Sequence, residues 1–331
     1  MGTDSLKVFL GARHMAGILW EYRQGLRSIG IDAQVIVFCK HRFQYPADIQ
    51  FELTGNKYMK FLKEVVMFCI YLPILIRFDV FHFIYGMSML PLHLDVYILK
   101  LFRKKIVMHF VGSEIRPEDS PRANDKKRKE IRFWEKHADA VISFPEYSQL
   151  LTKKYYMIPV GYDLEYWKPF TSRISRKKDK ILIVHAPSRR STKGTQYVIE
   201  AVESLVEEGF NVEFKILEDS SNAEVRKWVN RSDIVVDQLL IGWYGAFSIE
   251  SMALAKPTLC YIDEDLKEKT DYARDLPLVN TTPHTLYDNL KLLIENPDLR
   301  LELGEKGRKY VEEVHDSKKT AKRLLELYRS I

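Results

Sequence analysis

The stretch ILIVHAPSRRSTKGTQYVIEAVESL, residues 181–205, decides the fold class. Its first four residues form an unbroken apolar run, and after His185 a basic turn follows. Beyond the turn, Val198, Ala201, Val202, Leu205 and Val206 stand at the spacing of one helical face, and Gly209 ends the helix. A wholly apolar strand leading through a short turn into an amphipathic helix is the βα unit of a parallel sheet covered on both faces. Downstream the unit repeats: strands over 211–217, 233–238 and 257–262 alternate with helices over 221–231 and 246–255. Residues 282–331 read as helix in three pieces, restarted at Pro297 and near Ser317. Upstream, strands over 7–11, 33–39, 79–86, 105–112 and 139–144 alternate with helices over 16–29, 57–77, 89–103 and 122–138. The stretch 159–180 interrupts both series with two prolines and a basic run. Two Rossmann-like βαβ domains are therefore expected, over 1–165 and 181–315, with a linker at 166–180 and a last helix at 316–331. The cleft between two such domains is the expected site.

The 331 residues carry 51 Lys and Arg against 45 Asp and Glu, a net charge of +6. Residues 1–165 hold 24 cations and 18 anions, so the whole excess lies in the first half. This charge is too diffuse for a dedicated nucleic-acid binder, and no nucleic-acid motif is present, so nucleic acid is not an expected partner. Cys39, Cys69 and Cys260 are few, odd in number and flanked by apolar residues, which reads as buried thiols in a reducing compartment. The start, MGTDSLKVFLG, lacks the pattern of a signal peptide, and Leu6 does not suit myristoylation. The longest apolar run, Val65–Ile76, is too short to span a bilayer. A cytoplasmic protein follows as the expectation.

Neither leading strand opens into G-x-G-x-x-G, and no Walker motif, H-E-x-x-H, nucleophile elbow or CxxC pair occurs. Two segments carry chemistry instead. Ser188-Arg189-Arg190-Ser191-Thr192-Lys193-Gly194 places three cations at the start of a helix, where free backbone N–H groups and the dipole also attract an anion. Gly242-Trp243-Tyr244-Gly245-Ala246-Phe247-Ser248-Ile249-Glu250 follows a strand and opens another helix. Gly245 allows close backbone approach, and the Glu250 carboxylate suits the vicinal hydroxyls of a ribose. Asp263-Glu264-Asp265 reads as a solvated acidic turn, and no metal site is expected.

These two segments, with Glu250-Ser251-Met252-Ala253-Leu254-Ala255-Lys256-Pro257-Thr258 closing the second, resemble the donor half of retaining GT-B glycosyltransferases, the large family four group. Residues 296–328 resemble the family's C-terminal helices, the last of which crosses back to the first domain, and 79–86, 109–117 and 158–169 resemble its first-domain strand ends. The resemblance implies an α/β GT-B fold, an acceptor-binding first domain and a donor-binding second one. It assigns Lys193, with Arg189 or Arg190, to the leaving diphosphate, and Gly11, Ser188, Gly194, Gly245, Ala246, Phe247 and Ser248 to donor binding. Glu250 takes the place of the ribose-binding carboxylate, while the family's first carboxylate position is Gly242, where Trp243, Tyr244 or the backbone would have to substitute. The family's active-site histidine position is Val111; His109, two residues earlier and on the same strand face, is the candidate catalytic histidine. Arg13, Glu114 and Arg116 are candidates for the acceptor side.

The implied reaction is metal-independent transfer of a sugar, without cofactor, from a nucleotide diphosphate sugar to a glycan or lipid-linked hydroxyl, with retention of configuration. A sugar-nucleotide-binding protein without catalysis and a GT-B epimerase are the alternatives. Segments 57–77, 100–105 and 122–136 mix cations with apolar residues, which suits peripheral contact with the inner, anionic face of a membrane.

Overall fold

The computed structural model describes residues 6–13, 17–38, 45–51, 55–112, 114–116, 121–145, 150–170 and 180–331, the side chains of Lys57 and Pro121 excepted. Cys39, Ser113 of the strand-end motif, the first five residues and most of the 166–180 segment lie outside the described residues. The chain divides into two compact units, Met1–Tyr162 with Ser317–Ile331, and Asp163–Asp316.

Unit 1 is built on one parallel sheet in the order β3-β2-β1-β4-β5-β6. Its strands are β1 (Lys7–Gly11), β2 (Asp32–Val37), β3 (Ile49–Gln50), β4 (Val80–Ile84), β5 (Lys105–His109) and β6 (Ala140–Ile142). All five residues of β4 are buried, His82 among them, as expected of a strand in a doubly covered sheet. Helices α2 (Lys57–Leu75), α3 (Leu94–Leu101) and α4 (Pro121–His137) cover one face. Their inward residues Phe68, Leu75, Val96, Leu99, Ile131 and Trp134 share a core with Phe9, Phe81 and Phe83. The opposite face is covered by α1 (Ile18–Ser28), on which the last helix, α12 (Ser317–Ser330), packs. Gly25 makes that docking possible: a Cβ there would lie 2.3 Å from the Ser317 carbonyl oxygen. Ser317 N donates to Tyr162 O at 3.1 Å, and Thr320 Oγ1 donates to Pro159 O at 3.1 Å. Deeper in, His82 Nδ1 lies 2.6 Å from the Tyr328 hydroxyl and His109 Nδ1 lies 3.4 Å from that of Tyr22.

His82 and His109 are both fully buried, and burial holds His82 down at about 3 and His109 well below the ordinary 6.5. As pH falls below about 6.5 the unfolded chain binds protons that the folded unit refuses, so unit 1 loses stability progressively down to the folded values. His82→Phe should therefore flatten the acid limb of its unfolding midpoint against pH.

Unit 2 carries a parallel sheet ordered β11-β10-β9-β7-β8. The strands are β7 (Ile181–His185), β8 (Val212–Ile216), β9 (Ile234–Val236), β10 (Thr258–Cys260) and β11 (Val279–Asn280). A single turn α5 (Arg190–Lys193) leads into α6 (Thr195–Glu207), followed by α7 (Asn222–Arg231), α8 (Ala246–Ala253), α9 (Glu264–Glu268), α10 (Leu286–Glu295) and α11 (Pro297–Val314). Val198, Val202 and Leu205 of α6 enter a core with Ile183, Ile234, Val236 and Leu290. Two sequence expectations need correction. Val206, assigned to the inner stripe of α6, is exposed at the helix end, and Cys69 is exposed on α2 rather than a buried thiol.

Candidate functional site

In a doubly wound sheet, ligands bind beyond the carboxyl ends of the strands where the strand order reverses. In unit 2 that point lies between β7 and β9. His185 ends β7 and is fully buried. Its Nδ1 lies 2.8 Å from Val236 O, which can only accept, so Nδ1 carries the proton and Nε2 accepts from Thr195 Oγ1 at 2.9 Å. Burial lowers the His185 pKa, in keeping with a neutral ring that ties the start of α6 to the end of β9.

The basic turn between them brings Lys193 Nζ to 2.7 Å from Asp237 Oδ1. Asp237 Oδ2 accepts from Ser248 Oγ at 2.7 Å. A Cβ on Gly245 would lie 3.9 Å from the same ammonium. Lys193, Gly245 and Ser248, three separate sequence candidates, thus meet around Asp237. Burial would push the Asp237 carboxyl up, but the Lys193 charge and the hydrogen bonds from Lys193 and Ser248 hold it below its ordinary value. The ammonium has three protons and needs one for Asp237, which leaves donors for an anion. Beside it, α8 starts at Gly245 with no side-chain cap, and its first-turn N–H groups add to the same field. Ala246 and Phe247 belong to that turn, and Glu250 lies buried farther along the helix.

The two arginines separate. Arg190 forms a double bond pattern with Glu218, Nε to Oε1 at 2.8 Å and Nη2 to Oε2 at 2.6 Å, which raises the arginine pKa and lowers that of the glutamate. Arg189 and Ser188 are exposed, and Arg189 enters no ion pair among the described residues. Gly194, at φ 76°, turns the chain from α5 into α6.

Gln238, fully buried, accepts from Ile241 N at 2.6 Å and Leu240 N at 3.2 Å and donates to Tyr261 O and Trp243 O. It holds the loop that contains Gly242, whose φ of 84° is left-handed and whose Cβ would lie 3.2 Å from Asp263 Cβ. A carboxylate side chain at this position would be strained by the left-handed backbone and would have to push Asp263 aside. Gly242→Glu should cost about 1–2 kcal/mol from backbone handedness alone, read as a lower denaturation midpoint, without tightening sugar-nucleotide binding. Tyr244 does not fill the gap: its hydroxyl is buried 3.1 Å from both Tyr310 Oη and His315 Nε2. Asp263 caps α9, accepting from Asp265 N and Leu266 N.

In unit 1 the order reverses between β1 and β4. A cavity of about 810 Å³ opens at these strand ends, lined by Arg13, Lys60, Tyr85, Ser88, His93 and Glu114 among others. Two sequence candidates, Arg13 and Glu114, line it, whereas Arg116 does not. Glu114 accepts from Val111 N, its Oε2 is buried with no hydrogen-bond partner among the described residues, and burial raises its pKa. Glu114 Cγ and Glu130 Cγ lie 3.9 and 3.8 Å from the Cβ position of Gly86, so two carboxyl groups converge on one wall. His93 Nε2 meets Glu130 Oε1 at 2.6 Å and its Nδ1 meets Ser88 Oγ at 3.0 Å, while Ser88 donates to buried Asp95 at 2.7 Å. Tyr85, Leu92 and His93 all hold left-handed φ, at 64°, 56° and 55°. Backbone strain of this kind collects at functional sites. His93, Glu130, Ser88 and Asp95 were missed from the sequence; polar residues set within the apolar run 87–99 were the available signal for Ser88, His93 and Asp95, and Glu130 on α4 gave none.

The His109 ring is fully buried between Tyr22, His82 and Phe144, and it is not among the residues that line the cavity.

No protein-family model matches the sequence, and no curated protein matches it. Solved structures do. Sucrose-phosphate synthase from Thermosynechococcus elongatus aligns at TM-score 0.70 and 14% identity, covering 99% of each chain. An alpha-glucosyltransferase solved with UDP and a 13-mer DNA containing a HMU base aligns at 0.65 and 11%, covering 98% of this chain and 100% of that one. UDP-GlcNAc 2-epimerase from Methanocaldococcus jannaschii aligns at 0.57 and 12%, covering 98% and 99%. A neighbour of this fold is solved with a 13-mer DNA, so the exclusion of nucleic acid made from charge and motifs does not hold for the fold as such. At these identities the likeness concerns architecture: this chain has the α/β GT-B fold, with two parallel sheets of six and five strands and a final helix returned to the first unit.

Proposed function

We propose that the protein transfers a sugar from a nucleotide diphosphate sugar to a hydroxyl acceptor, with retention of configuration and without a metal. One observation carries this reading: the Lys193 ammonium, fixed by buried Asp237, stands beside Gly245 and the uncapped start of α8. That assembly is fitted to negative charge, and the charge grows as a diphosphate leaves. The bond from the sugar's anomeric carbon to the diphosphate oxygen breaks, the acceptor oxygen bonds to that carbon, and the hydroxyl proton passes to the departing diphosphate. Lys193, Arg189 and the α8 amides stabilise the leaving group, and such preorganised donors contribute several kcal/mol. Glu250 would hold the ribose hydroxyls. In unit 1, Glu114 and Glu130 offer acceptor oxygens to the hydroxyls of a glycan or lipid-linked glycan, and His93 holds Glu130 in place.

An epimerase of nucleotide sugars is the second reading, favoured by the fold shared with the UDP-GlcNAc 2-epimerase. A panel of UDP-, GDP- and TDP-linked sugars tests both. A donor at a hundred times its Kd should stabilise the protein by about 2.7 kcal/mol. The stabilising donor is then incubated alone and with sugar acceptors. A changed sugar without acceptor supports epimerisation, and a new glycosidic product supports transfer. Arg189→Ala should weaken donor binding, whereas Arg190→Ala, already engaged by Glu218, should leave it near wild type. No stabilisation by any donor overturns the proposal.

A further inference from the structure

The α2–α3–α4 layer of unit 1 presents a surface that packing alone does not account for. Opposite the inward Phe68 and Leu75, α2 exposes Met59, Leu62, Val66, Ile70 and Ile74, one continuous stripe at helical spacing. On α3, Leu94, Tyr97 and Leu101 are exposed at the same kind of spacing, opposite buried Val96 and Leu99. Leu92 before it is 82% exposed. Tyr97 joins the two helices' neighbour, with its ring 6.1 Å from Phe133 and 5.0 Å from His137 of α4. The outer face of α4 then carries exposed Lys126, Lys129, Arg132 and Lys136, and its only exposed acid, Asp125, is paired with Arg128 at 3.3 Å. One layer therefore carries exposed apolar stripes on α2 and α3 and a basic outer face on α4. Monomeric proteins rarely expose contiguous apolar surface on this scale without a partner.

We propose that this layer docks on an anionic bilayer. The stripes of α2 and α3 enter the headgroup region, and the cations of α4 meet the lipid phosphates. No helix among the described residues is long and apolar enough to cross a membrane, so the contact is in the plane of the interface. Charge selects this occupant over a second copy of the chain, because a two-fold contact through the same face would bring like-charged α4 surfaces together. The inference stands apart from sugar transfer, and its test has a separate readout.

The experiment is flotation of the full chain with vesicles of phosphatidylcholine, with and without phosphatidylglycerol. Binding should require phosphatidylglycerol and weaken with added salt. Lys126→Glu/Lys129→Glu/Arg132→Glu should lower the partition on the order of 100-fold, since each cation near an anionic surface contributes about fivefold. Leu62→Ser/Val66→Ser/Ile70→Ser should lower it roughly tenfold or more while leaving thermal unfolding and donor-induced stabilisation at wild-type values, because these side chains are exposed and stand outside the lining of the unit 1 cavity. Equal binding to both vesicles, or none to either, overturns the proposal. So does a dimer in sedimentation that the serine variant abolishes.

Discussion

Lys193→Ala should destabilise unit 2 by about 3–5 kcal/mol, the cost of breaking a buried ion pair, and should abolish stabilisation by sugar nucleotides. Asp237 is 1% exposed as a side chain and Lys193 14% exposed, so the variant leaves a carboxylate inside the protein with only Ser248 to hold it. A loss of activity in that variant alone would therefore not separate a damaged fold from a lost ligand contact. Lys193→Ala/Asp237→Asn separates them. Removing both charges should regain most of the denaturation midpoint, because the penalty lies in the unpaired buried charge rather than in the absent contact. Donor stabilisation should stay lost, because the anion still lacks its cation. Recovery of both properties would move the anion site away from Lys193. The pH dependence has a definite sign: Asp237 is held below its ordinary value, so its contribution is fully present above about pH 4 and is lost as pH falls through the folded value. In the double variant that acid-side loss should shrink.

Gly25→Val should release α12 from α1 and cost roughly 3 kcal/mol or more, at the upper end of overpacking effects. The reason lies in what the new Cβ would meet: the Ser317 carbonyl at 2.3 Å, with Ser317 C at 3.0 Å and Ala321 Cβ at 3.2 Å. Backbone cannot swing aside as a side-chain tip can, so the whole helix must move. Gly161 sets the same limit from the other side, its Cβ position 2.9 Å from Ser317 Cα. The loss should be confined to unit 1, seen as exposure of His82 and Tyr328 to hydrogen exchange or modification while donor stabilisation of unit 2 persists. Loss of donor stabilisation in step with unit 1 would show instead that the units unfold together.

The alternation of apolar strands with helices was legible because strand burial on both faces leaves a run such as Val80–Ile84 with no polar residue except His82. Short elements escaped for the opposite reason. Ile49–Gln50, Val279–Asn280 and the single turn Arg190–Lys193 are too brief to show a period. Lys193 and Gly245 were legible from motif order, but Asp237 was not, since its role depends on β9 ending beside β7, a relation of strand order that no local window contains. The buried setting of His109 was hidden for a related reason. Its face was inferred by counting along a strand, yet which face of the sheet turns toward α1 and α12 is decided by connections far away in the chain. In the cavity of unit 1, Glu114 could be found by motif, whereas the convergence of Glu130 and His93 on it needs a helix and a turn that are distant in sequence.

The position of α12 also has a consequence for the order of events on the ribosome. Unit 2 is one uninterrupted stretch, Asp163–Asp316, and can close as soon as it has emerged. Unit 1 begins earlier but must wait, because the helix that covers His82 and part of α1 is translated only after all of unit 2. During that interval the first unit has one face of its sheet incompletely shielded, which makes it the natural client of a chaperone and the part of the chain most exposed to premature association.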